Sequence, residues 1–181
     1  MEKRTIVNAL IEIPLNSRNK YEIDYKSGRI RLDRVLYSAM DFPTEYGIVE
    51  NTKTAEGNPL DILVICKEPS FPGCIVPACV LGYFEVLDRG KRVCKLISVI
   101  DCDPHYDNVR DLSDIPSIEL DRIRNNYENY KAHKMVEVQV GTFHNKKAAF
   151  AMIEECKNRY QATLSFNCYY RTRSNNKSEK T

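Results

Sequence analysis

The chain has 181 residues, with 27 basic and 25 acidic side chains and a formal net charge of +2. This length suits one domain and is too short for two full cores. No apolar run approaches the roughly 20 residues needed to span a bilayer, which excludes a membrane protein. The charged N-terminus lacks the long apolar stretch of a secretory signal, so we expect a cytoplasmic protein.

The seven cysteines fit the same compartment. None belongs to a Cys-x-x-Cys pair, and most lie within apolar segments, where a free thiol behaves as a small hydrophobic side chain. This usage is typical of a reduced, cytoplasmic protein.

Charge is unevenly distributed along the chain. Residues 169–181 contain Arg171, Arg173, Lys177 and Lys180 against Glu179 alone. Positions 1–168 then hold 23 basic and 24 acidic residues, a net charge of −1. We therefore predict one domain over residues 1–168 and a basic, disordered tail over residues 169–181. A body without a positive excess does not favour nucleic acid as a partner.

The first two-thirds of the chain consist of short apolar or alternating segments separated by turn signals. The predicted strands cover residues 5–14, 20–24, 29–33, 61–66, 75–87 and 92–100. Ser27-Gly28 and Asp88-Arg89-Gly90 mark hairpin turns. Connections this short favour antiparallel pairing, because a parallel crossover needs about a dozen residues or more.

Two amphipathic helices follow the strands. One is predicted within residues 116–131 and the other after Asn145, a suitable N-cap. Their apolar stripes, which we expect to face the core, are Leu120, Ile123, Tyr127 and Tyr130, and then Ala149, Met152, Ile153, Cys156 and Tyr160. Strands followed by helices predict an α+β fold built on an antiparallel sheet or closed barrel.

The densest polar cluster is Glu56-Gly57-Asn58-Pro59-Leu60-Asp61, which leads directly into an apolar strand. A turn of this kind holds short oxygen-bearing side chains at the entrance of the strand. Hard cations such as Mg²⁺ prefer oxygen ligands. Taken alone, the segment is more often an ordinary acidic turn than a metal site.

Several further motifs occur in a fixed order along the chain. They are Ile11-Glu12-Ile13-Pro14, Lys20-Tyr21-Glu22-Ile23-Asp24, Asp33-Arg34, Phe42-Pro43-Thr44-Glu45-Tyr46-Gly47, the 56–61 segment, Asp88 with Lys95, and Tyr130-Lys131. In that order and at that spacing, from about residue 5 to residue 160, the chain resembles the soluble family I inorganic pyrophosphatases. The resemblance implies a five-stranded antiparallel β-barrel of the OB type with flanking C-terminal helices, assembled into a homo-oligomer.

The same resemblance implies hydrolysis of pyrophosphate to two phosphates with Mg²⁺, or Mn²⁺ in its place. It implies phosphate contacts from Lys20, Arg34, Lys95, Tyr130 and Lys131. Tyr46 matches a tyrosine near the attacking water. The implied metal ligands are Glu56, Asp61 and Asp88, with Glu12 and Glu22 at the rim of the metal site. For the last two, an exposed strand-borne charge is an equally good interpretation.

Three positions depart from the family pattern, which reads Asp-x-Asp-Pro-x-Asp at the metal loop. Glu56 replaces the first Asp with a longer carboxylate, and Asn58 replaces the carboxylate expected to take a proton from water. An amide cannot act as a base near neutral pH. Val93 stands where a further metal-binding Asp is expected and offers no oxygen. Asp101 and Asp103 could supply a replacement, although an acidic loop is the simpler interpretation.

These observations leave three hypotheses. The first is a divergent pyrophosphatase-like hydrolase acting on pyrophosphate or a related phosphoanhydride or phosphoester. The second is a weak or inactive member of the fold that binds a phosphorylated ligand, because every cationic position is retained. The third, which the charge of the body disfavours, is a nucleic-acid binder using Tyr169-Tyr170-Arg171 of the tail.

Overall fold

The computed structural model describes residues 4–24, 27–37, 39–88, 90–131 and 137–178, with residues 166–178 described by their backbone alone. The eight strands are β1 (Ile6–Ile13), β2 (Asn19–Asp24), β3 (Arg29–Val35), β4 (Glu45–Val49), β5 (Leu60–Ile65), β6 (Ile75–Asp88), β7 (Lys91–Ile100) and β8 (Val138–Asn145). The two α-helices are α1 (Ser117–Asn129) and α2 (Lys146–Ser178), and two short 3₁₀ turns precede α1.

Five strands close into a barrel. The order β1-β4-β5-β7-β6 returns to β1 through a second pairing of β1 with β6, and β8 extends the sheet on the outer side of β6. Closure removes the free edges that an open sheet would present. The predicted α+β barrel is thus confirmed. One pairing departs from the expected antiparallel pattern, because β5 and β7 run parallel.

The parallel pair is possible because the chain between β5 and β7 is long enough for a crossover. That connection contains β6, whose fourteen residues pair with β1, β7 and β8. Short connections predict antiparallel pairs only, so this parallel pair was not expected from the sequence. The strands β4 and β8 were not predicted either.

Both faces of β5 are buried. Leu63 and Ile65 belong to the cluster that contains Ile123 of α1, whereas Ile62 and Val64 belong to the cluster that contains Ile153 of α2. A strand buried on both faces has a continuous apolar run rather than an alternating pattern. The predicted core stripes of both helices are confirmed except at Tyr160, which is only partly buried and belongs to neither cluster.

The predicted turns and the helix cap are found. Gly28 and Gly90 have φ angles of +67° and +77°, a region that glycine enters without steric cost. Arg89, between Asp88 and Gly90, lies outside the described residues. The Asn145 side chain accepts a hydrogen bond from the Ala148 amide at 3.1 Å, as an N-cap residue does.

The helix α2 reaches Ser178, beyond the predicted end of the domain at residue 168. No glycine or proline interrupts it. Residues 179–181 lie outside the described part of the chain, and the division into a domain and a tail stays a prediction. Over the described residues, no helix is both long and apolar enough to cross a membrane.

Gly47→Ala tests the closure of the barrel. A Cβ at position 47 would lie 2.2 Å from the carbonyl oxygen of Leu10 and 2.9 Å from the Ile11 Cα, both backbone atoms of β1. The strands must separate to admit the methyl group, so we expect a loss of about 2 kcal/mol or more in unfolding free energy. Thermal denaturation measures this loss.

Gly141→Ala is the matched control, because its Cβ would meet Glu85 Cβ at an ordinary 3.4 Å. An equal loss of stability in both variants would show that the close approach of β1 and β4 is not the cause.

Candidate active site

The parallel pairing of β5 and β7 sets Asp61 directly beside Lys95. The Lys95 Nζ lies 2.6 Å from the Asp61 Oδ2 and 3.3 Å from the Tyr46 hydroxyl oxygen. It also lies 5.0 Å from the centre of the Tyr46 ring and 5.5 Å from that of Tyr127. Because the Lys95 side chain is only 12% exposed, water solvates its ammonium group poorly, and Asp61 and the two aromatic rings stabilise the positive charge instead.

The two tyrosines of this cluster stay protonated. Burial raises the pKa of the Tyr46 phenol well above its ordinary value, and the negative charge of Asp61 raises it further. Burial raises the pKa of Tyr127 in the same way, again with a contribution from Asp61. Tyr46 is therefore a hydrogen-bond donor at neutral pH rather than a base.

One cavity of about 450 Å³, the main cavity, contains most of the carboxylates singled out in the sequence. Among its lining residues are Glu12, Lys20, Glu22, Tyr46, Glu56, Asn58, Asp61 and Val93. These side chains come from five strands, β1, β2, β4, β5 and β7, and from the loop that precedes β5. Residues that are far apart in sequence are thus brought to one mouth of the barrel.

Glu12 is not the exposed strand-borne charge that was one of the two interpretations of this residue. Its side chain is buried, with the residue 8% exposed, and it accepts a hydrogen bond from the Ile23 amide at 3.1 Å. Burial raises the pKa of Glu12, and the neighbouring Asp61 and Glu22 add to that rise, whereas the Ile23 amide and Lys20 oppose it. Packing of β2 against β1 buries this residue, which the strand pattern alone could not show.

A second cavity of about 280 Å³, the cationic cavity, adjoins the first. Lys20 lines both cavities, and Arg34, Tyr130 and Lys131 line the cationic one. Four of the five predicted phosphate contacts therefore meet here. The fifth, Lys95, lies with Asp61.

Asp33 fixes two of these cations. Its Oδ2 accepts hydrogen bonds from Arg34 Nε at 2.7 Å and from Lys20 Nζ at 3.1 Å. Lys20 also pairs with Glu22. The hydrogen bond from Arg34 is the main reason why the pKa of Asp33 is lowered, and Asp33 in turn raises the pKa of Arg34. This positioning role of Asp33 was not predicted from the sequence.

Asp88, a predicted metal ligand, is paired with Lys131 instead of facing the main cavity. The Lys131 Nζ lies 2.5 Å from the Asp88 Oδ2 and 5.2 Å from the centre of the Tyr130 ring. Burial lowers the pKa of Lys131, but hydrogen bonds with Asp88 and Tyr130 outweigh it and leave that pKa raised. The other oxygen of Asp88, Oδ1, is buried and has no hydrogen-bond partner among the described residues.

The three departures from the family pattern all line the main cavity. Glu56 and Asn58 lie exposed on a tight turn in which Gly57 has a φ of +92°. The turn is closed by hydrogen bonds between the backbones of Thr54, Gly57 and Asn58. Val93, in the exposed first part of β7, is 36% exposed and presents hydrocarbon to the cavity.

Asp101 and Asp103 do not replace the missing carboxylates. Asp101 forms an ion pair with Arg4 at 3.0 Å, and Asp103 caps a 3₁₀ turn by accepting from the His105 amide. Neither side chain lines the main cavity. The interpretation of these two residues as parts of an acidic loop is the one that agrees with their contacts.

A divalent cation fits the site in the chemistry of its donors. Carboxylates of Asp61 and Glu56 line one cavity, and the unpartnered oxygen of Asp88 is a further hard donor. Within the described residues, however, no three His, Cys, Asp or Glu side chains stand together as a ready-made metal cluster. A cation would therefore have to compete with Lys95 for Asp61 and with Lys131 for Asp88.

Several residues of the main cavity were not foreseen. Arg92 and Cys94 flank Val93 on β7, and Met152, Cys156 and Arg159 come from α2. Met152 and Cys156 belong to the predicted apolar stripe of α2. That stripe indicated contact with the core but gave no sign that its residues also line a cavity.

Comparisons with known proteins agree with this geometry. The family model described as inorganic pyrophosphatase matches residues 9–161. An inorganic pyrophosphatase of Geobacillus stearothermophilus is 46% identical over 155 residues, which are 86% of this chain and 94% of that relative.

Solved structures show the same likeness. The inorganic pyrophosphatase of Thermus thermophilus superposes with a TM-score of 0.83 at 36% identity, over 86% of this chain and 91% of that one. The Helicobacter pylori enzyme gives a TM-score of 0.83 at 33% identity, over 88% and 98% of the two chains. A barrel with a carboxylate-lined cavity beside a cationic one, together with these likenesses, shows that the chain belongs to the inorganic pyrophosphatase family, a family of hydrolases.

Proposed function

We propose that this protein hydrolyses inorganic pyrophosphate to two phosphates with Mg²⁺, and that Mn²⁺ can replace Mg²⁺. The observation that carries the proposal is the pair of adjoining cavities that share Lys20. One offers oxygens to a hard cation, and the other offers positive charge to phosphoryl oxygens. Phosphoryl transfer depends mainly on such positioning and on charge stabilisation.

The cationic cavity binds and orients the substrate. Lys20, Arg34 and Lys131 supply positive charge, and Tyr130 supplies a hydroxyl group beside them. Arg34 can contact two phosphoryl oxygens at once because its guanidinium is planar. Asp33 holds Arg34 and Lys20 in place through its hydrogen bonds.

The main cavity activates water. Asp61 and Glu56, which line this cavity, are the proposed ligands of the cation, and Asp88 would join them only by leaving its ion pair with Lys131. A bound divalent cation would supply Lewis-acid charge that lowers the pKa of water and neutralises phosphoryl oxygens. Lys95 donates hydrogen bonds to Asp61 and to the Tyr46 hydroxyl oxygen, and the Tyr46 hydroxyl is itself hydrogen-bonded to Asp61.

Glu12 is the carboxylate best suited to accept the proton from water, a role that Asn58 cannot fill. It lines the same cavity as Asp61, and its raised pKa brings it nearer to the operating pH, where a general base is most effective. Glu22 has a supporting role, because it pairs with Lys20.

The second candidate function is binding of a phosphorylated ligand with little or no turnover. The observation that favours it is the asymmetry between the two cavities. The cationic one retains four of the five predicted phosphate contacts, and Lys95 is also retained beside Asp61, whereas Asn58 and Val93 stand in the main one where two carboxylates are expected.

We further propose that the protein assembles as a homo-oligomer in the cytoplasm. Exposed apolar side chains support the first part, among them Ile30, Phe71 and Ile75, which are 40%, 65% and 52% exposed. Free thiols at all six cysteines whose side chains the structure describes support the second: Cys66, Cys74, Cys79, Cys94, Cys102 and Cys156.

The first prediction concerns the rate. We expect slow, Mg²⁺-dependent release of phosphate from pyrophosphate, because Glu12 stands at a different position from the base expected at residue 58 and recovers only part of the roughly 10²–10⁴ in rate that a positioned base supplies. Asn58→Asp together with Val93→Asp should raise the rate by more than the two single changes combined, since a metal ligand and a base act as a unit. Full activity in the wild type would show that neither departure matters. No phosphate release in the wild type or the double variant, with pyrophosphate still bound, would favour the binding protein.

The second prediction concerns Asp61→Asn, which keeps the size of the side chain and removes its charge. We expect Mg²⁺-dependent turnover to be lost and the affinity for Mg²⁺, measured by calorimetry, to fall at least tenfold. Asp101→Asn is the matched control, because Asp101 is also ion-paired but lies outside the main cavity. Unchanged Mg²⁺ affinity in Asp61→Asn, or an equal loss in the control, would contradict the assignment of Asp61 as a ligand.

The third prediction concerns Glu12→Gln. A carboxyl with a raised pKa holds its proton more tightly in the folded chain, so its contribution to stability is lost as the pH rises from the unfolded to the folded pKa. The neutral amide should therefore raise the melting temperature at pH 7 to 8 by a few degrees, and the gain should vanish below about pH 4.3, the ordinary pKa of glutamate.

Turnover of Glu12→Gln should fall, because the amide cannot accept a proton. Scanning calorimetry across the pH range and a phosphate assay measure the two effects. A variant that is less stable than wild type at neutral pH would show that the Glu12 carboxylate is favoured in the folded chain, contrary to the direction inferred here.

A further inference from the structure

One side of the main cavity is apolar. We call Val93 and Cys94 of β7 together with Met152 and Cys156 of α2 the apolar wall. It lies in the same cavity as Glu12, Glu22 and Asp61. The cavity therefore joins a charged region to a hydrocarbon and thiol surface.

The wall carries no formal charge. Burial raises the pKa of the Cys94 thiol, with further contributions from Glu85 and Glu56, and burial likewise raises that of Cys156. Both side chains are therefore neutral thiols at physiological pH, and neutral thiols behave as small hydrophobic groups.

Pyrophosphate and hydrated cations do not bind favourably to such a surface. All the peripheral atoms of pyrophosphate are oxygens, and contact with hydrocarbon would strip them of water without replacing its hydrogen bonds. The volume of the main cavity, about 450 Å³, instead falls in the range of about 300–1,000 Å³ that is typical of sites for organic ligands.

Two arginines flank the apolar wall. Arg92 precedes Val93 on β7, and Arg159 follows Cys156 by one helical turn on α2. Among the described residues, Arg92 makes one long ion pair, with Glu85 at 3.5 Å, and its side chain is 73% exposed. Arg159 pairs with Glu155 at the surface and donates a weak hydrogen bond to the Cys156 Sγ at 3.9 Å. Surface pairs of this kind hold their partners weakly, so both guanidinium groups are available to stack on a flat organic group or to contact a phosphate.

We propose that the main cavity binds an organic diphosphate, an ester of pyrophosphate whose carbon-bearing group lies on the apolar wall. Its phosphates contact Lys20, which the main and cationic cavities share, and its organic group contacts Val93 and Met152. The replacement of an expected aspartate by Val93 thereby changes the preferred ligand as well as removing a metal donor. This inference rests on the proposed function, because both use the same cationic groups.

Titration calorimetry with three probes tests the proposal: pyrophosphate, adenosine diphosphate as an aromatic ester and isopentyl diphosphate as an aliphatic one. Each titration is run with EDTA and again with Mg²⁺. The wild type should bind at least one of the two esters as tightly as pyrophosphate or more tightly. The probe that binds better shows whether the wall prefers a flat or an aliphatic group.

Val93→Asp should weaken binding of the preferred ester by about tenfold, the effect expected for loss of one good apolar contact. Its added negative charge should weaken pyrophosphate binding in EDTA by less than it weakens ester binding, and should strengthen pyrophosphate binding in Mg²⁺. Met152→Gln, which adds polarity at similar size and no charge, should weaken binding of the ester alone. Ile6→Asp is the matched control, because Ile6 is an exposed aliphatic strand residue that does not line the main cavity.

The outcomes separate the two proposals. Esters that bind at least tenfold more weakly than pyrophosphate, or that bind equally to wild type and both wall variants, would overturn the inference. If pyrophosphate is still hydrolysed, the proposed function stands without it. If none of the three probes binds and pyrophosphate is not hydrolysed, both proposals fail.

Discussion

Asp61 and Lys95 lie side by side because β5 and β7 are neighbouring parallel strands of the barrel. These two strands can be neighbours although β6 lies between them in the sequence, because β6 pairs with the other edge of β7. The resulting contact, 2.6 Å between Nζ and Oδ2, places a carboxylate and an ammonium group at the mouth of the barrel. Tyr46 and Tyr127 then pack around the ammonium group. The rest of the site is arranged about this pair.

Ion pairing in the site follows a consistent pattern. Each cation expected to contact phosphate is close to a carboxylate: Lys95 to Asp61, Lys131 to Asp88, and both Lys20 and Arg34 to Asp33. Such pairs hold long side chains in defined positions before a ligand arrives. A cation or phosphate that breaks one of these ion pairs must interact with the separated charges at least as favourably as they interacted with each other.

The departures from the family pattern have unequal consequences. Glu56 keeps its charge and remains in the main cavity, so it can still serve a cation. Asn58 offers only a neutral amide oxygen and Val93 offers none, and Val93 joins an apolar surface that α2 completes. The buried position of Glu12 adds a carboxylate whose pKa is raised, mainly by burial. A site can thus lose carboxylates at two positions and still contain a group able to exchange a proton.

The sequence by itself was enough to indicate the family, the α+β barrel, six of the eight strands, the core faces of both helices and the cap at Asn145. Those features depend on local periodicity, on turn residues or on motifs in a fixed order, all of which are present in the order of residues. Only the tertiary structure decided that β5 and β7 are parallel, that Glu12 is buried and that Asp88 pairs with Lys131. It also decided that Met152, Cys156 and Arg159 of α2 reach the same cavity as Val93. The physical reason is that burial, ion pairing and the lining of a cavity depend on contacts between segments that are distant in sequence. Only the packing of the strands and helices around the barrel determines which of these segments are in contact.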